Sequence, residues 1–276
     1  MMMLIRNIPC LLLFTLLSNG SMAQTVVPTF VSIDGNTLQA KLQVTTLIEV
    51  DLVVEFEKSV GLIADNINIS ATLSDVNASV ITNRLSTTAI KVVPTFPVII
   101  SISPKVDTGF AFEGLASVEI YTQSVDYNAA MPARIFRSHA NGNFEDITSM
   151  ISAGSIRARG NTGSFSDFMI LLDERSNADI VDDTFSQLNE LVGQYNNHIS
   201  STLAITIQTS LNTLQQTLLM TDYTAALKVV EELIVVIENA SGEQLSNVWR
   251  SSNDLVNMQG ELLTRLRTLK YSLRII

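Results

Sequence analysis

The sequence predicts an α+β chain in two parts. The first is an antiparallel β-sandwich of the immunoglobulin-like class; the second is a bundle of about four helices. Three observations carry this expectation. Apolar and polar residues alternate before about residue 173, and apolar residues recur every three or four positions after about 179. All six prolines lie at or before position 132. The polar string DERSNAD at 173–179 separates the two patterns, which sets a sandwich at 24–179 and helices at 180–276.

Residues 1–23 stand apart from both. Arg6 precedes an apolar run from about Ile8 to Leu17, and Ser21-Met22-Ala23 places small residues where a signal peptidase reads. This predicts a Sec-type signal peptide cleaved after Ala23, forming a separate helix that packs on little. The run is too short for the ~20 residues of a membrane span. Cleavage removes 23 of 276 residues and takes away Arg6 and Cys10, so the charge moves from −10 to −11 and no cysteine remains. The expected destination is periplasmic or secreted, with no membrane span left after cleavage.

Strand signals follow in order. Short strands are expected near 30–33 and 38–44, with Asp34-Gly35-Asn36 as a hairpin turn between them. Ile48, Val50, Leu52, Val54 and Phe56 alternate with Glu49, Asp51, Glu55 and Glu57, leaving Val53 on the acidic face. That pattern fits a sheet with one face in water. Further strands are expected at 67–73, 90–93, 98–103, 116–124, 134–138, 155–159 and 165–172, with a turn at Asn141-Gly142-Asn143. Pro94, Pro97 and Pro104 around 98–103 imply a strand at an edge or with irregular ends.

Helix signals then take over. Phe185, Leu188, Leu191, Val192 and Tyr195 mark a helix over 180–195; Leu203, Ile207, Leu211, Leu214 and Leu218 mark one over 200–220. Thr221-Asp222 offers an N-cap for a third, which stops at Ser241-Gly242. The last is expected from 243 to 273, with Trp249 on its apolar stripe.

Composition narrows function. One cysteine excludes an internal disulfide framework, and an acidic chain with 16 % charged residues is neither a disordered tail nor a nucleic-acid binder. The sequence lacks GxSxG, HExxH, an EF-hand loop and a phosphate-binding GxxxxGK[ST] motif. His139 and His198 are the only histidines and read as surface residues. Asp179, Asp182 and Asp183 form a weak candidate calcium site, and more plainly an acidic start to a helix. The Glu49, Asp51, Glu55 and Glu57 row reads as a solvated strand face. Sequons stand at Asn68, Asn77 and Asn239. No cofactor is expected.

The ribbon GSIRARGNTGSFSDFMILLD at 154–173, with the helical stretch after it, resembles an uncharacterised family of secreted bacterial proteins carrying a domain of unknown function. The resemblance implies a β-rich N-terminal part and a helical C-terminal part, and no activity or site residue. In WRSSNDLVNMQG at 249–260, helical spacing would put Arg250, Asn253, Asn257 and Gly260 on one face, as an interaction strip or a helix–helix contact. The functional expectation is an exported, non-enzymatic binding or structural protein with an unknown protein or glycan partner. Two alternatives stand beside it: a glycan-active hydrolase using two carboxylates, and a periplasmic assembly partner docking through the helical half.

Overall fold

The computed structural model describes residues 23–128, 130–152 and 154–276. The expected signal segment therefore lies outside the described residues except for Ala23. Among the described residues, no helix is long and apolar enough to cross a membrane.

The chain forms β1 (Gln24–Val26), β2 (Phe30–Asp34), β3 (Thr37–Gln43), β4 (Glu49–Val60), β5 (Ile67–Leu73), the short helix α1 (Ser79–Thr82), β6 (Ile90–Val92) and β7 (Val98–Pro104). It continues with β8 (Ala111–Tyr127), β9 (Ala133–Ser138), β10 (Glu145–Asp146), β11 (Thr148–Ser152), β12 (Gly154–Thr162) and β13 (Asp167–Asp173). Then come α2 (Asn177–Gln194), α3 (Ser201–Leu219), α4 (Tyr223–Glu238), β14 (Val248–Arg250) and α5 (Met258–Arg274).

The strands make two antiparallel sheets. The first has the order β1-β5-β7-β13-β9-β10, with β6 also on β13; the second has the order β11-β12-β8-β4-β3-β2, with β14 also on β8. Alternation puts Leu38, Leu42, Val50, Leu52 and Val54 inward from the second sheet, against Ile69, Val98, Ile100, Ile135 and Ile170 of the first. The core between the sheets is thus built by the period-two pattern. A smaller cluster, including Ile81, Ile90, Ile99, Phe136, Met169 and Leu171, covers the outer face of the first sheet.

The ribbon 154–173 becomes β12 and β13, so it carries the chain from the second sheet to the first. Two of its glycines are fixed by close approach. A Cβ on Gly160 would lie 2.7 Å from Ile147, and one on Gly163 would lie 2.6 Å from the amide of Glu261. β7 is an interior strand of its sheet, not an edge; its prolines sit beyond or at its ends, where no ladder hydrogen bond is lost. The hairpin at Gly35 and the helices α2, α3 and α4 follow the sequence expectation. The short strands β1, β10 and β11 and the helix α1 carry too few residues for a periodic signal, and the sequence did not announce them.

The last helix differs most. Residues 243–257 do not join α5; they form a turn, the strand β14 and a loop. Ser246, Asn247, Ser251, Ser252 and Asn253 compete with helical hydrogen bonds, whereas Val248 and Trp249 favour strand. Pairing of Trp249 opposite Phe112 buries the indole among Phe110, Phe112 and Phe165, with ring centroids 5.5–6.1 Å away. Burial of that ring outweighs the helical spacing around it.

α5 is the keystone of the helical part. Leu262, Leu263, Leu266, Leu269 and Leu273 join residues of α2, α3 and α4 in one apolar cluster. Its other side meets β8, β11 and β12. Near its start Glu261 meets Arg137, and near its end Ser272 meets Arg134, so α5 runs antiparallel along β9.

Candidate functional site

Two arginines sit on β9 in a stretch with no exposed residue, ARIFRS. A strand between two layers has no water to offer a guanidinium, so each arginine needs fixed partners. Arg134 donates to Asp146 at 2.6 Å and to Ser272 at 3.0 Å. Arg137, 3 % exposed, donates to both carboxylate oxygens of Glu261, at 2.7 and 2.9 Å. It also reaches Thr162 at 2.9 Å and Ser164 at 3.2 Å, from the crossing after β12. Arg265, one turn beyond Glu261 on α5, donates to Glu261 at 3.2 Å and to Glu145 at 2.9 Å. Glu145 also accepts from Arg137 at 3.2 Å.

This group of two arginines and two glutamates is electrically neutral and bonded in a ring. Burial opposes ionisation of Glu261, but Arg137, then Arg265 and Ser164, more than offset it, and the carboxyl is held at about 2. Burial likewise works against the charge on Arg137; Glu261 and Glu145 overcome it and push the guanidinium above its ordinary value. The ring joins β9, β10, the β12–β13 crossing and the first turns of α5.

Beside it opens a cleft of about 300 Å³. Its walls include Arg137, Glu145, Ser164, Glu261 and Arg265, then Leu191 and Tyr195 at the end of α2, and Trp249, Asn253, Leu255 and Asn257 from the β14–α5 segment. His139 lines it too and donates from Nδ1 to the Phe165 carbonyl at 3.1 Å.

The strip expected at 250–260 is not a helix face. Arg250 ends β14 and pairs with Asp254 outside; Asn253 lies in a turn at φ 54°; Asn257 caps α5; Gly260 packs in its first turn. Two of the four still meet, since Asn253 and Asn257 both line the cleft. Asn257 accepts from the Gly260 amide at 2.9 Å while its Nδ2 donates to the carbonyls of Gly114, at 2.7 Å, and Gly163, at 3.2 Å.

Asp179, Asp182 and Asp183 start α2 and point to separate tasks. Asp179 accepts from Ser176, the N-cap, at 2.6 Å; Asp183 pairs with Arg175 at 2.7 Å; Asp182 is exposed. Among the described residues, no three His, Cys, Asp or Glu side chains are grouped to hold a metal ion. Asn68, Asn77 and Asn239 are exposed.

Sequence reasoning missed Arg137, Glu145, Glu261 and Arg265. The i,i+4 pair of Glu261 and Arg265 was visible, and so was an arginine at each end of an apolar run at 134–137. Neither signal says which buried face the other must meet.

Fold and cleft define a class: an α+β protein of two antiparallel sheets with mainly C-terminal helices, and a cleft where the two meet. More particularly, the chain belongs to the family of unknown function DUF6689, which matches residues 11–276. No curated protein and no solved structure matches it.

Proposed function

We propose that the chain is an exported, non-enzymatic binding protein of the bacterial envelope or extracellular space, with the cleft beside α5 as a ligand seat. The observation that carries this reading is the state of the two carboxylates in the cleft. Hydrolysis by a carboxylate pair needs one of them to hold a proton for the leaving group. Glu261 is ionised down to about 2, and Glu145 is held by two guanidiniums. Such a ring engages both carboxylates with guanidiniums and fixes one wall of the cleft. The export half of the reading rests on the N-terminal sequence. The finer fold reading, an immunoglobulin-like sandwich with a four-helix bundle, is supported by the paired antiparallel sheets and by the cluster shared by α2, α3, α4 and α5.

Trp249, the sole tryptophan, lines the cleft and reports on it. A ligand seated there is expected to change its fluorescence, and Asn253→Ala to weaken that response at least tenfold. Turnover of a polysaccharide or peptide by purified protein, lost in Glu261→Gln or Glu145→Gln, would overturn the reading in favour of a hydrolase. Export is checked by cell fractionation and N-terminal sequencing, with Gln24 expected first.

Docking of an assembly partner through the helical half is less supported. The apolar stripe of α5 that motivates it is spent on α2, α3 and α4. Exposed Ile205, Leu219 and Val235 remain, and scattered apolar residues of this kind are ordinary on surfaces.

A further inference from the structure

The geometry points to a second binding surface, on the outer face of the second sheet, that takes an extended neutral polysaccharide chain. Phe30 stands opposite Lys41, Lys41 opposite Asp51, Asp51 opposite Tyr121, and Tyr121 opposite Arg157. Directly paired residues point to the same face, so these five side chains form one row across β2, β3, β4, β8 and β12. With strands about 4.8 Å apart, the row is roughly 19 Å long. Two depressions of about 280 Å³ each adjoin along it and share Asp51 and Tyr121.

The charges of the row and its nearest neighbours are already paired. Lys41 contacts Asp51 at 3.0 Å and Glu49 at 3.8 Å, and Glu119 is held by Arg157 and, at 2.8 Å, by Arg159. Three cations and three anions balance within the row and its nearest neighbours, while Asp34 and Glu55 further along the same face leave it acidic, so the row itself is neutral and the face as a whole disfavours a polyanion. It does offer fixed carboxylates, guanidiniums and the amides of Gln39, Gln43 and Gln123, which match hydroxyl groups in either sense. Phe30 is 49 % exposed, and Tyr121, stacked under Arg157 at 4.7 Å, stands three strands away, roughly 14 Å. Two rings at that separation along a polar row suit the alternating apolar and hydroxylated faces of a sugar chain.

Among the described residues, this surface is left open. Apolar residues cover the outer face of the first sheet, and the helices cover the second only at its Leu115 and Asn161 end. The inference extends the binding-protein reading to another site and rests on that reading only for the chain's exposure to polysaccharide.

The test uses purified mature protein, co-sedimented with insoluble cellulose and chitin and run through gels containing xylan or mannan. Retention by at least one polymer is expected, reduced at least tenfold by Tyr121→Ala and by Phe30→Ala, and unchanged by Asn253→Ala in the cleft. Thermal melting checks that the variants are folded, and Phe30 is exposed enough to be replaced without touching the core. No retention by any of the four polymers overturns the proposal, as does retention that survives both ring substitutions or that is lost in Asn253→Ala.

Discussion

Gly163 and Gly260 meet where the sandwich and α5 join: a Cβ added to Gly260 would lie 2.8 Å from the Cα of Gly163. The same Cβ would lie 2.7 Å from the Gly114 carbonyl and 2.6 Å from the Asn257 amide nitrogen. Two of these neighbours are backbone and cannot swing away. Gly260→Ala is therefore expected to cost roughly 1–3 kcal/mol through overpacking, despite alanine's better helix propensity. Gly193, also in a helix, has open space where a Cβ would stand, with nothing within 4 Å, and Gly193→Ala is expected to stabilise by roughly 0.5–1 kcal/mol. Urea midpoints of the two variants, moving in opposite directions, check both.

Glu261 ties acid stability to the seam. Its carboxyl sits at about 2 against an ordinary value of 4.5, because Arg137 and Arg265 favour the ionised form more than burial disfavours it. A lowered folded value means that ionisation favours the native state. The contribution is complete above pH about 5 and is lost as pH falls toward 2, about 3 kcal/mol in all. Wild type should therefore lose stability across that window, and the gap between it and Glu261→Gln should narrow as pH falls. At pH 7, Glu261→Ala should cost roughly 3–5 kcal/mol, since it leaves Arg137 buried with only Glu145 as a charged partner. Urea unfolding at a series of pH values measures both effects.

How far the sequence could be read depended on whether a signal was local. The row Val50, Leu52, Val54 and Phe56 is periodic within one strand, and β4 follows it. Asp222 caps α4 as its position before the apolar run implies. Trp249 misled because its spacing fits a helix, while its neighbours Phe112 and Phe165 are more than eighty residues away and invisible to a window. The cleft fared the same way. Asn253 and Asn257 stood out in the sequence, but Arg137 and Glu145 reach them only through the pairing of β9 with β10 and the path of α5.

Trp249 is thus the residue at which distant packing overrules local pattern, and its removal should show that. The ring is 5 % exposed and touches a cluster of four phenylalanines through Phe110, Phe112 and Phe165. Trp249→Ala should cost roughly 3–5 kcal/mol and free β14 from β8. Trp249→Phe keeps an apolar ring there and should cost less. Thermal midpoints rank the two, and hydrogen exchange at 248–250 should rise in the alanine variant well before global unfolding.

Two helix caps give the last comparison. Asp222 accepts a single bond, from the Ala225 amide at 3.0 Å, at an exposed helix start. Asn257 accepts from the Gly260 amide at 2.9 Å and also donates to the carbonyls of Gly114 and Gly163 from a buried position. Losing the first cap returns one amide to water, so Asp222→Ala should cost about 1 kcal/mol. Losing the second strands an amide and two carbonyls in the seam, so Asn257→Ala should cost roughly 2–4 kcal/mol. Asn257→Asp keeps the cap but replaces the donor with a carboxylate facing two carbonyls, and it should fall close to the alanine variant. Urea unfolding at pH 7 orders the three: a full recovery by Asn257→Asp would mean that capping alone holds α5 to the sandwich.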